Sequence, residues 1–71
     1  MIKINYYRNK NVGILGAGLS GLAAAKILLK SQANLYIFDD KKDKPDLIKE
    51  NSWKNYKFWP WKTLIAIVVS P

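Results

Sequence analysis

A run of apolar residues, Val12-Gly13-Ile14-Leu15, passes directly into Gly16-Ala17-Gly18-Leu19-Ser20-Gly21 and then into Leu22-Ala23-Ala24-Ala25. No other stretch of the chain constrains the fold so tightly. A continuous apolar run marks a strand buried on both faces, and the glycine-spaced turn leads into a helix whose N-terminus offers free N–H groups to an anion. Each glycine has its own task. Gly16 is expected to permit the tight turn, Gly18 to let backbone approach phosphate oxygens, and Gly21 to let helix and strand pack closely. The amides of Leu19 and Ser20 are then expected to face the anion, with the Ser20 hydroxyl as a further donor.

Glycine-rich turns are common, so the flanking residues decide how the motif is read. About eighteen residues after Gly21, the apolar run Leu35-Tyr36-Ile37-Phe38 ends in Asp39. An acid at the end of the second strand is where such folds read the sugar or base of a nucleotide. Strand, helix, strand and acid therefore agree on a phosphate-binding βαβ unit, with Asp39 and, less directly, Asp40 as acceptors. Asp43, Asp46 and Glu50 read as surface charges. No pair of carboxylates suits acid–base work, and no Gly-x-x-x-x-Gly-Lys-Ser/Thr loop for ATP is present. No catalytic residue and no metal ligand is assigned.

Composition narrows the function classes. Seventy-one residues bury only a small core, and with neither cysteine nor histidine that core rests on apolar packing alone. Twelve Lys and Arg against five acids give a net charge of +7, which attracts anions in general. The lysines are scattered, and the aromatic residues Trp53, Tyr56, Phe58, Trp59 and Trp61 among them read as packing rather than a nucleic-acid surface. Residues 1–11 hold no apolar signal core, and the apolar run Leu64–Val69 is far too short to span a bilayer. A cytoplasmic protein with no membrane and no nucleic-acid partner is the expectation.

Along the chain, residues 1–11 read as a polar lead-in and residues 12–71 as a truncated Rossmann-like α/β domain with a small, incomplete parallel sheet. Val12–Leu15 is the first strand, a helix runs from Leu19 or Ser20 to Lys30, and Leu35–Phe38 is the second strand. Leu22, Ile27, Leu28 and Leu29 supply the helix's apolar contact, while Lys26 and Lys30 share an outer face. Pro45 is placed in the first turn of a short helix through Glu50, and Asn51–Phe58 as a poorly patterned strand. A helical turn from Pro60 leads to a buried strand, Ile65–Val69. A chain that stops after a buried strand leaves an open sheet edge, and reads as an incomplete domain.

Three pieces, GAGLSGLAAA within Val12–Ala25, Phe38-Asp39-Asp40-Lys41 at a strand end, and Ile67-Val68-Val69-Ser70-Pro71, together resemble the N-terminal domain of the Mur ligases of bacterial peptidoglycan synthesis. The resemblance spans residues 11–71. It implies a Rossmann-like domain that binds the UDP part of UDP-MurNAc-L-alanine, as in the branch of the family that adds D-glutamate. Gly18, Leu19 and Ser20 would meet the diphosphate, with Gly16 and Gly21 shaping the loop. Asp39, Asp40 and Lys41 would surround the uracil, and Ser70 and Pro71 would lie beside the diphosphate-sugar. For a complete ligase it implies ATP- and Mg2+-dependent amide formation through an acyl phosphate. The 71 residues themselves are expected to carry no cofactor and no ligase turnover, the ATP-binding and C-terminal domains being missing or supplied as a separate polypeptide.

The alternative is the start of an FAD- or NAD-dependent oxidoreductase, since the same glycine sequence opens many flavin-binding folds. Asp39 would then bind the adenosine ribose. Such enzymes commonly carry Gly-Gly-Arg shortly after the acid, whereas Lys41-Lys42-Asp43-Lys44-Pro45 contains no glycine.

Overall fold

The computed structural model describes residues 5–70. They form a small open sheet of three parallel strands, β1 (Asn11–Leu15), β2 (Asn34–Phe38) and β3 (Leu64–Val69), with one helix, α1 (Leu19–Lys30), between the first two. The strand order is β2-β1-β3. The chain therefore leaves β1 for one side, and its second connection must cross back over β1 to reach the other. An open parallel sheet binds ligands at such a reversal of strand order, outside the carboxyl ends of the strands.

Register explains where the core sits. Val12 pairs with Leu35 and Ala66, and Ile14 with Ile37 and Val68. Side chains alternate across a strand, so these two rows share one face. Val12, Ile14, Leu35 and Ile37 on that face are buried against Ala25 and Leu28 of α1. The opposite face of β1 carries Gly13, and the buried Trp59 lies on it, 2.5 Å from where a Cβ would stand. A side chain at position 13 would take the space that the indole fills.

Strands β1 and β2 each begin one residue earlier than their apolar runs indicate, because polar side chains extend the pairing. Asn34 Nδ2 donates to Asn11 Oδ1 at 3.1 Å, and Asn11 Nδ2 donates to Thr63 Oγ1 at 2.7 Å. Helix α1 ends in two backbone bonds, Ala33 N–H to Leu28 O at 3.1 Å and Gln32 N–H to Leu29 O at 3.1 Å. That pair is a Schellman motif, with Gln32 in the left-handed position (φ 60°) that glycine usually takes. Of the expected contact residues on α1, Leu28 is buried and Leu22 half-buried, but Ile27 and Leu29 are exposed. Ala25 takes their place in the core, letting the helix lie close to the sheet.

The segment between β2 and β3 departs most from expectation. Pro45 opens no helix: Ile48 N–H closes a turn on Pro45 O at 3.0 Å, and Lys44 Nζ donates to Ile48 O at 2.8 Å. An ammonium group thus satisfies the carbonyl that a helix would have used. No third strand spans 51–58. Two 3-10 turns, Glu50–Ser52 and Tyr56–Phe58, stand there, and only Trp53 meets the sheet, in an isolated parallel bridge to Ile37. Three bulky anchors hold the segment down: Ile48 and Trp59 are buried, and Trp53 packs on Phe38 with ring centroids 5.3 Å apart.

The turn after Pro60 forms as expected, closed by Thr63 N–H on Pro60 O at 2.9 Å. Strand β3 is not the buried strand anticipated, however. It is an edge of the sheet, and Ile65, Ile67 and Val69 stay exposed while Leu64, Ala66 and Val68 are half-buried. Residues 5–10 contain a 3-10 turn, Asn5–Tyr7, before β1 begins. No helix among the described residues is long and apolar enough to cross a membrane.

Candidate functional site

The three strands point their carboxyl ends at one open groove of about 660 Å³. Gly16 and Leu15 enter it from the end of β1, Phe38 and the turn Asp39–Lys42 from β2, and Val69 and Ser70 from β3. The second connection contributes Asn55, Tyr56 and Lys57. Five of the residues singled out in the sequence, Gly16, Asp39, Asp40, Lys41 and Ser70, therefore meet in one place.

Local geometry makes each glycine's task visible. Gly16 has φ of 104°, a conformation L side chains rarely adopt, and a Cβ on it would stand 2.9 Å from Ser70 Cβ. A Cβ on Gly21 would run into the Gly16 carbonyl oxygen. The turn thus folds back on the first residues of α1 with no room for a methyl group. At Gly18 the opposite holds: a Cβ would meet nothing within 4 Å. Gly18 is also the N-cap of α1, and no side chain caps it. The first helical bond runs from Leu22 N–H to Gly18 O at 2.9 Å. The N–H groups of Leu19, Ser20 and Gly21 consequently have no acceptor within the helix, as at any uncapped helix start.

Gly18, Leu19 and Ser20 do not line the groove itself. Leu19 is 92% exposed and Ser20 is exposed, while Gly21 is buried. The groove's own walls near the loop are Gly16 and Ser70. Pro71 lies outside the described residues.

Asp39 is tied to the loop. Its Oδ2 accepts the Ala17 N–H at 2.9 Å and its Oδ1 accepts the Lys41 N–H at 2.8 Å. One carboxylate thereby links the end of β2 to the glycine turn after β1, and Gly16 N–H donates to Phe38 O at 2.9 Å beside it. The Ala17 amide, then the Lys41 amide, hold the Asp39 carboxyl below its usual value, with Lys42 and Lys41 adding charge. A carboxylate has about four acceptor positions, so two remain for a ligand's donors.

Ser70 has the opposite problem. Its N–H donates to Leu15 O at 2.8 Å, which continues the β1–β3 ladder, but its Oγ is buried without a hydrogen-bond partner. A buried hydroxyl without a partner costs stability, and this one sits against Gly16 in the groove wall. The arrangement suits an anion: Lys41, Lys42 and Lys57 stand among the lining side chains, the unpartnered Ser70 Oγ lies buried in the wall, and the uncapped start of α1 lies outside the groove lining. Among the described residues no three Cys, Asp or Glu side chains gather as they would for a metal ion.

Sequence reasoning missed Asn55, Tyr56 and Lys57. The stretch that holds them has no apolar period, and single anchors, Trp53 on Phe38 and Trp59 over Gly13, bring it to the groove.

Curated relatives cover this chain almost end to end. A UDP-N-acetylmuramoylalanine--D-glutamate ligase of Wolbachia sp. subsp. Brugia malayi is 30% identical over 74 residues, covering 99% of this chain and 15% of that protein. The protein of that name from Bartonella henselae is 32% identical over 73 residues, covering 100% of this chain and 16% of its own length. A Lactobacillus gasseri relative reaches 56% identity over 43 residues, or 61% of this chain. The chain thus spans about 15% of the first of these relatives. No family model matches it, and no solved structure does either.

Proposed function

Taking as premise that this chain matches an N-terminal fragment of a Mur ligase, we propose that its groove binds the UDP part of a UDP-sugar-peptide substrate, UDP-MurNAc-L-alanine. The observation that carries this reading is the meeting of Gly16, the Asp39–Lys41 turn and Ser70 at the carboxyl ends of three parallel strands. In this reading the free N–H groups of Leu19 and Ser20, with the unpartnered Ser70 hydroxyl, take oxygens of the diphosphate. Donors fixed by a helix start and a strand end lose little freedom on binding. Asp39 keeps the loop in place through Ala17 and presents its remaining lone pairs to a donor on the uracil, with Asp40 and Lys41 beside it. Pro71, next to Ser70 in sequence, belongs to the same subsite in this proposal.

The chemistry of the whole ligase, ATP-dependent amide formation with Mg2+ in the cytoplasm, is proposed for the longer protein that such relatives represent. The described residues offer neither a metal-ligand cluster nor a phosphate loop of the Gly-Lys-Ser/Thr type, so no step of that reaction is assigned to them.

Titration of the 15N-labelled chain tests the reading. UDP is expected to shift the amide resonances of Leu19, Ser20 and Ser70 more than FAD or NAD does, and Ser70→Ala is expected to weaken UDP binding. A clear preference for FAD would transfer the site to the oxidoreductase alternative. Unaltered amides at Leu19 and Ser20 under saturating UDP would remove the diphosphate from the helix start.

A further inference from the structure

We infer that Tyr56 forms an aromatic wall for the base of the nucleotide held in this groove. The inference rests on reading the groove as a nucleotide site and adds a residue that neither the glycine motif nor the strand-end acids point to. Of the groove's lining residues only Phe38 and Tyr56 are aromatic. Phe38 is half-buried and occupied by Trp53. Tyr56 keeps 39% of its surface exposed, so its ring is the one available to a ligand.

The ring is also carried on a pinned piece of backbone. The Tyr56 carbonyl accepts Trp61 Nε1–H at 2.8 Å and Trp59 N–H at 3.3 Å. Asn55 Oδ1 accepts the Lys57 N–H at 2.9 Å, closing the turn from its other end. Trp59, in turn, is buried on Gly13 and donates its indole N–H to Lys54 O at 2.7 Å. A short irregular segment thereby gains the rigidity of the sheet beneath it. An aromatic ring presented from a fixed element binds a planar base with little ordering cost. The charges fit the same ligand: Lys57 follows Tyr56 directly, and Asp39–Lys42 occupies the same groove with acceptors for a base edge.

The test compares UDP with inorganic pyrophosphate, which has the anion but no base, on the full 71-residue chain followed by amide shifts. Tyr56→Ala is expected to weaken UDP by about tenfold, the loss usual for one base–aromatic stack, and to leave pyrophosphate unchanged. Tyr56→Phe is expected to bind UDP like the parent chain. An unchanged UDP affinity in Tyr56→Ala overturns the wall while the nucleotide site stands. Equal weakening of UDP and pyrophosphate also overturns it, since the ring would then act on the fold or the anion. Should the parent chain bind neither, the nucleotide reading fails and the wall falls with it.

Discussion

Gly18 and Gly21 stand three residues apart in one turn, yet a methyl group added to each meets opposite surroundings. At Gly21 it strikes the Gly16 carbonyl oxygen, which belongs to a backbone already fixed by Phe38 O and Ser70. Gly21→Ala is therefore expected to destabilise the chain by about 1–3 kcal/mol, the usual range for overpacking, read from urea unfolding. At Gly18 the added group enters open space at a negative φ, so Gly18→Ala should change stability by no more than about 0.5 kcal/mol. Gly18→Val should nevertheless weaken UDP, because its branches stand where an anion approaches the helix start; full UDP affinity in that variant would count against the cradle. Asp39 supplies a pH dependence of definite sign. Its carboxyl is held below the usual aspartate value near 3.8 by the Ala17 and Lys41 amides, so the ionised form is the one that holds the loop. Its contribution to stability is full above that value and fades as pH falls from there through the lowered folded-state value. In unfolding experiments across the acid range, Asp39→Asn should be less stable than the parent at neutral pH and converge on it at the acid end.

At the level of elements, the regular parts were legible because they repeat a pattern. The apolar runs of β1, β2 and β3 and the alanine-rich α1 can be read from residue spacing, and so can the turn chemistry of Gly16 and Gly21. The polar extensions at Asn11 and Asn34 were not legible, since they depend on side chains 23 residues apart meeting across strands. Residues 45–58 were read wrongly as helix and strand for a related reason. What holds them is a set of single anchors, Lys44 on Ile48 O, Trp53 on Phe38 and Trp59 on Gly13, and none of these is periodic. The same blindness hid Tyr56 and Lys57 as groove-lining residues. Gly13→Ala isolates the principal anchor: its methyl group would overlap the Trp59 ring, standing 2.5 Å from the nearest ring carbon. It should displace the indole and raise Trp fluorescence exposure to quenchers; unchanged quenching would mean the segment is held elsewhere. The end of α1 offers a gain instead. Gln32 occupies a left-handed position at φ 60°, where a Cβ costs roughly 1–2 kcal/mol, while glycine adds unfolded-state entropy worth about 0.4–1 kcal/mol. The first effect equals or exceeds the second across these ranges, so Gln32→Gly should stabilise the chain by up to about 1.6 kcal/mol in the same unfolding measurement.

For the molecule as a whole, two opposing surface properties meet at β3. Its outer edge pairs with no strand among the described residues, and Ile65, Ile67 and Val69 present an apolar row at 42%, 42% and 72% exposure. Unpaired edges with apolar rows recruit further strands. Against this stands a net charge of +7 on a body only 32 × 27 × 22 Å across, which keeps copies apart in dilute salt. The range of that repulsion is about 30 Å at 0.01 M salt, comparable with the molecule, but only about 3 Å at 1 M. Apolar burial is not screened in this way, so added salt shifts the balance toward contact. Sedimentation should accordingly show a monomer at low ionic strength and growing association as salt rises at fixed concentration. Ile67→Lys puts a charge in the middle of the apolar row without touching the core face, and should keep the chain monomeric at salt that associates the parent. Association that instead falls with salt would assign the contact to charge pairing, and a lysine variant that associates like its parent would move the interface away from β3.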